Sequence, residues 1–333
     1  MADHADDGGN NDGVFVYMGG FIPLHLRETT THARVHKSVK IITLRAFEYC
    51  TNLVSIEIHD GVEIIEAIAF CNCKSLRRIK LSGVKVIEEY AFDDCTALED
   101  VEFGDKLETI GQDAFQFTAL RNIKLPKVRV IGEGAFSLCK HLTDIELSKD
   151  LERIELGAFG GCRRLRRIAM PLKANLFDET NNLFHNCDDL TQVDLVGGIH
   201  KTIYSLLLES WRNEMKDDIA RINQVLPNIL PQRPPRIHQL LYIPSAEKTA
   251  AIRQWMGRVL ERMEHYKSEH YALLKEDMTQ LELALWKSNL PNIDAAESRH
   301  EARVTCGTNI IIPHVLSFLN NEEAFPTVRN ISL

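Results

Sequence analysis

The chain has 333 residues, of which 44% are hydrophobic and 26% charged, with a formal net charge of −8. That balance is ordinary for a globular protein and excludes a collagenous or low-complexity chain. No apolar run approaches the roughly 20 residues a membrane-spanning helix needs, and neither half is basic enough to read as a phosphate-binding surface.

The chain opens on "MADHADDGGNNDG", residues 1–13. This acidic stretch has neither the basic nor the apolar region of a signal peptide and reads as a disordered N-terminus. The expectation is therefore an intracellular, cytoplasmic protein whose eight cysteines are reduced thiols. Residues 14–45 read as an N-terminal cap with an incomplete first repeat.

Residues 46–198 are dominated by an internal repeat. Ala-Phe pairs fall at Ala46-Phe47, Ala69-Phe70, Ala91-Phe92, Ala114-Phe115, Ala135-Phe136 and Ala158-Phe159, steps of 23, 22, 23, 21 and 23. A degenerate seventh follows at Leu183-Phe184. Each pair opens a unit of the form A-F-x-x-C-x-x-L-x-x-I-x-L, then a few polar or small residues, then V/L-x-x-I. Cys50, Cys73, Cys95, Cys139, Cys162 and Cys187 share one column, while the fourth unit, "AFQFTAL", has lost a residue and its cysteine.

Units such as "AFEYCTNLVSIEI" and "AFSLCKHLTDIELSKDLERI" resemble the BspA-type class of leucine-rich repeat, over about Arg34 to Gly198. The resemblance implies an α/β repeat solenoid in which each unit adds a short strand to a parallel sheet. The residues lead to the same expectation, because a unit of about 22 residues cannot bury its own apolar face and must share a core with its neighbours. Leucine, isoleucine and phenylalanine columns are expected to point inward. The cysteine column reads as a packing ladder of small buried groups rather than as metal or redox ligands, since no paired C-x-x-C supports zinc.

The outward residues of successive strands alternate in sign: Arg34, Glu57, Lys80, Glu102, Lys124, Glu146, then Ala169 and Asp194. A second column in the V/L-x-x-I segment reads Lys40, Glu63, Lys85, Glu108, Arg129 and Glu152. In a parallel sheet such residues stand side by side, so each is expected to face an opposite charge on both sides. The alternation is thus a structural pairing that sets register, and the repeating unit is a doublet of about 45 residues. Ala169, with Arg166 and Arg167 bare beside it, breaks the pattern and marks where function is to be sought.

Residues 199–333 read as an all-α module, a long helical hairpin. A first helix is predicted over about 200–226, with Ile203, Leu207, Trp211, Met215, Ile219, Ile222 and Leu226 on one face. A proline-rich tract stops it. Ser245 is the expected N-cap of a second helix over about 245–287, whose buried side carries Ile252, Met256, Val259, Met263, Tyr266, His270, Leu274, Leu281 and Leu285. Its excess length packs on a short helix at about 310–319, on the end of the solenoid, or on a second chain as a coiled-coil arm. Residues 289–308 read as a loop.

Catalytic patterns are missing from the sequence. His265 and His270 are five apart, which does not match the H-E-x-x-H zinc motif, and there is no phosphate-cradling glycine loop or nucleophile elbow. The expected function is a non-enzymatic protein-interaction scaffold without cofactor or metal, binding neither nucleic acid nor membrane, with a protein partner and a possible homodimer through the C-terminal helices. A cell-surface or adhesion role, which the resemblance implies for secreted relatives, is the alternative. Lys80, Glu102, Lys124, Glu146, Arg166 and Arg167 are the candidate partner-binding residues.

Overall fold

The computed structural model describes residues 13–178, 180–196, 208–229 and 247–288. The chain divides into two compact units: Met1–Ile199 with Lys216–Leu260, and His200–Met215 with Glu261–Leu333.

The first unit is a stack of coils whose strands come in two rows, all paired in parallel. In chain order they are β1 (Phe15–Tyr17), β2 (His32–Val35), β3 (Ile41–Ile42), β4 (Ser55–Glu57), β5 (Ile64–Ile65), β6 (Arg78–Leu81), β7 (Val86–Ile87) and β8 (Asp100–Phe103). There follow β9 (Thr109–Ile110), β10 (Asn122–Lys124), β11 (Val130–Ile131), β12 (Asp144–Glu146), β13 (Arg153–Ile154), β14 (Arg167–Met170) and β15 (Gln192–Leu195). A four-residue helix, α1 (Leu24–Arg27), lies between the first two strands. The two-residue strands form one continuous six-stranded sheet, β13-β11-β9-β7-β5-β3. The longer strands form three separate blocks, β1-β2-β4, β6-β8 and β10-β12-β14-β15. Sequence reading missed these gaps. The second gap adjoins the unit that has lost a residue.

The strand pattern follows from a side-chain period of two: Ile79 and Leu81 of β6 are buried while Arg78 and Lys80 are exposed. Behind the strands the phenylalanine column forms one continuous stack. Ring centroids are 5.0 Å apart from Phe47 to Phe70, Phe92 and Phe115, then 5.4, 5.9 and 5.8 Å on to Phe136, Phe159 and Phe184, with planes within 9° of parallel. Aromatic neighbours at this separation add packing energy beyond their burial, so one ring per coil knits the stack together.

The cysteine column is buried as expected, and it also carries hydrogen bonds. The thiols of Cys73, Cys95, Cys162 and Cys187 each donate to the carbonyl of the phenylalanine one coil back, at 3.1 Å. Cys139 does the same at 3.2 Å. Thr118 stands in the column where the fourth unit has no cysteine, and its hydroxyl donates to Phe115 O at 2.9 Å.

Two turn positions per coil lie in the left-handed region. The residue before alanine is Arg45, Ile68, Tyr90, Asp113, Gly134 or Gly157, and the residue before the cysteine column is Tyr49, Asn72, Asp94, Phe117, Leu138, Gly161 or Asn186. These turns direct the chain from one row of strands to the other. Ile68, at φ 62°, is the costly member, because a β-branched side chain crowds the backbone there.

The C-terminal helices are α2 (Glu209–Val225), closed by a 3-10 turn at Leu226–Asn228 that contains Pro227, and α3 (Glu247–Ser288). The first is described from Glu209, and its expected residues 200–207 lie outside the described residues. So do Ser245, the loop at 289–308 and the short helix at 310–319, together with the N-terminal residues 1–12. Trp211, Met215, Ile219, Ile222 and Leu226 are buried, as are Ile252, Met256, Val259, Met263, Tyr266 and His270. Leu281, predicted on the buried side, is instead 49% exposed. Within the second unit, the rings of Trp211 and Tyr266 stack at 5.1 Å and the Tyr266 hydroxyl donates to Glu214 at 2.5 Å.

Candidate docking surface

The outward faces of the coils present rows of charged side chains held in strand register. In the longer-strand row Arg34 pairs with Glu57 at 2.5 Å, Lys80 with Glu102 at 2.7 Å and Lys124 with Glu146 at 3.5 Å. Each pair lies within one hydrogen-bonded block, where the register sets the two residues side by side. The expectation of an opposite charge on both sides is thus corrected. Among the described residues the close contact falls on one side only, because Glu57 and Lys80, like Glu102 and Lys124, face each other across a gap in the ladder. The first column thus pairs in twos, but the backbone blocks hold three, two and four strands, so the 45-residue doublet does not extend to the ladder. The hydrogen bond from Arg34 holds the Glu57 carboxyl below its usual range, and the one with Glu102 raises the Lys80 ammonium above its own.

Arg167 overturns another expectation. It is not bare: it reaches Asp144 at 3.0 Å and Asp194 at 2.5 Å, on the strands to either side. Its long side chain restores, one pleat away, the alternation that Ala169 interrupts, and Ala169 is itself 3% exposed. Arg166, just before β14, stays exposed.

The continuous sheet carries the second column. There Glu63 meets Lys85 at 3.0 Å and Arg129 meets Glu152 at 2.5 Å, and Lys127 meets Asp150 at 3.3 Å beside them. Lys85, Lys106, Glu108, Lys127, Arg129 and Glu152 help to line a groove of about 580 Å³. Its walls are charged, unlike the apolar pockets that take small molecules. Among the described residues no group of histidine, cysteine and carboxylate side chains is placed to hold a metal, and no helix is long and apolar enough to cross a membrane.

Two further features escaped the sequence. Asp93 is half-buried and its Oδ1 has no hydrogen-bond partner among the described residues. Burial, with Asp94 and Asp113 nearby, pushes its carboxyl up to about 6. The second is Lys248, 8% exposed, whose ammonium donates to the carbonyls of Cys187, Asp188 and Leu190 at 2.9, 2.7 and 2.9 Å. Thr249 Oγ1 accepts from Phe184 N at 3.1 Å, and Asn223 Oδ1 accepts from Val193 N at 2.8 Å. In earlier coils the equivalent of Phe184 N donates to the next coil, as Phe136 N does to Ala158 O, and the equivalent of Asp188 O accepts from it, as Arg163 O does from Asp189 N. Side chains here stand in for the backbone of a following coil. A lysine in the first turn of a helix, where the dipole disfavours a cation, was the available signal.

A family model described as "BspA type Leucine rich repeat region" matches residues 27–139 and 118–212, with six copies. Among solved structures, a leucine-rich repeat protein of T. pallidum is 30% identical, with a TM-score of 0.40 over 41% of this chain and 67% of that one. A leucine-rich repeat protein from Bacteroides ovatus is 22% identical (TM-score 0.34; 54% of this chain, 60% of that one). A leucine rich cell surface protein from Faecalibacterium prausnitzii is 23% identical (TM-score 0.35; 50% and 59%). No curated protein matches.

Proposed function

The chain belongs to the BspA-type leucine-rich repeat family, and from that premise we propose that it is a non-enzymatic docking scaffold for protein partners inside the cell. The observation that carries this reading is the row of exposed, register-held side chains on a frame whose interior is filled by stacked rings. Lys80, Glu102 and Lys124 keep 58, 62 and 81% of their side-chain surface in solvent while their backbones are locked in a ladder. A surface of that kind offers a partner many preplaced contacts at little ordering cost.

The column cysteines are buried and free, which suits an intracellular setting. The helical segment is read as a cap rather than a dimerisation arm, supported by Lys248, Thr249 and Asn223 occupying backbone groups that an added strand would otherwise use.

Affinity capture with the full chain, followed by mass spectrometry, tests the scaffold reading: a partner should enrich reproducibly above background, and none doing so across conditions would remove its support. Imaging of a tagged full chain tests the location. Light scattering should report a monomer if the helices serve as a cap.

A further inference from the structure

Nearly every basic side chain on the strand rows is matched by an acid on a neighbouring coil. One place is different. Lys140 and His141 follow the cysteine column in the fifth unit, and Arg163 and Arg164 follow it in the sixth. The register that sets Asp144 against Arg167 places Lys140 beside Arg163 and His141 beside Arg164. Arg166 joins them, its backbone N–H bonded to Thr143 O at 2.9 Å, so its neighbour on the fifth coil is a neutral threonine. All five side chains are exposed. Among the described residues Lys140, Arg163, Arg164 and Arg166 enter no salt bridge, whereas nearby Arg167 is held by Asp144 and Asp194 and Arg121 by Glu99.

On the far side the same register sets Asp188 and Asp189 beside Arg163 and Arg164. Neither carboxylate forms a salt bridge with them among the described residues, and the buried Lys248 ammonium lies near both. The patch thus sets four basic side chains against two flanking carboxylates, an excess of positive charge. Like charges side by side on adjacent coils repel, and the outward strand columns avoid the arrangement by alternating in sign. A cost of that kind is met when a ligand supplies the missing charge.

We infer that Lys140, Arg163, Arg164 and Arg166 form the docking site for an acidic protein segment, one rich in aspartate or glutamate. Arginine forks suit carboxylates bidentately, which gives such a segment orientation as well as attraction. A nucleic acid fits less well. The patch spans only two coils, about 10 Å at sheet spacing, and the acidic residues of the seventh coil would repel a polyanion that continued past it. This inference rests on the scaffold reading and names the chemistry of the partner.

The test uses the full chain and a fluorescently labelled oligoglutamate peptide, followed by anisotropy at low and at physiological salt. The peptide should bind, more weakly as salt rises, and an oligolysine peptide of equal length should not. Arg163→Glu with Arg164→Glu should weaken binding by roughly tenfold or more, with the circular dichroism spectrum of the folded chain retained at the assay temperature, while Arg258→Glu on α3 leaves binding as it was. Undiminished binding by the double variant, no binding of oligoglutamate at all, or tighter binding of a single-stranded oligonucleotide of equal charge would overturn the assignment. The scaffold reading fails separately: it survives if the full chain captures a partner that the double variant retains, and it falls only if capture returns nothing.

Discussion

Lys80 on β6 and Glu102 on β8 stand opposite each other in a parallel ladder, their charged groups 2.7 Å apart, while Glu57 on the preceding strand faces Lys80 across a gap where no ladder is formed. In this column the close charge contact therefore falls where the backbone ladder is formed.

That one-sided contact separates two kinds of variant. Lys80→Glu with Lys124→Glu should lower the melting temperature at low salt by several degrees, with a smaller drop at high salt. The exchange Lys80→Glu with Glu102→Lys should retain nearly all the stability, because the new pair is intact and the like charges it creates meet only across gaps. A loss as large from the exchange as from the reversals would mean that pairing runs across the gaps.

Asp93 should make stability fall as pH rises from about 4 to about 6. Its folded carboxyl titrates near 6, above the ordinary value of about 4, so its contribution is fully present below the ordinary value and is lost as pH climbs through 6. Asp93→Asn should raise stability at pH 7 by about 1 kcal/mol, the shift being discounted for a carboxyl that still touches solvent. Urea melts of both proteins at pH 4 and pH 7 check this, and equal slopes with pH would contradict it.

Lys248→Met should cost about 2 kcal/mol, since three carbonyls lose their donor in a buried site. Hydrogen exchange gives the specific readout. The amides of Phe184 and Val193, which end on Thr249 and Asn223, should exchange faster while those of the early coils do not change.

Ile68→Asn should stabilise the protein by about 1 kcal/mol. The left-handed conformation at φ 62° costs a β-branched residue more than asparagine, and the Ile68 N–H bond to Glu89 O is a backbone contact that the substitution keeps. A thermal melt is sufficient, and a lower melting temperature would show that the half-buried isoleucine side chain contributes more than its backbone loses.

The solenoid was legible because its periodicities are one-dimensional. Ala-Phe pairs recurring every 21 to 23 residues place one ring per coil, and stacking follows from register alone. The charged columns were legible for the same reason, as far as which residues are neighbours. Arg167 was misread because its side chain reaches diagonally to Asp194 on the next strand, a direction that counting along a column does not contain. Leu281 was misplaced because helical periodicity marks an apolar stripe whether or not anything covers it.

The sequence by itself determined the coil, its core columns and the order of charges, since each depends on spacing along the chain. Only the tertiary structure decided which charges touch, where the ladder is interrupted, and how the stack ends. Those outcomes depend on distances between side chains far apart in sequence: Lys248 reaches Cys187 O across 61 residues, and Asn223 reaches Val193 N across 30. Hydrogen bonds and ion pairs of a few ångströms are formed only once the coils are stacked, so no local pattern announces them.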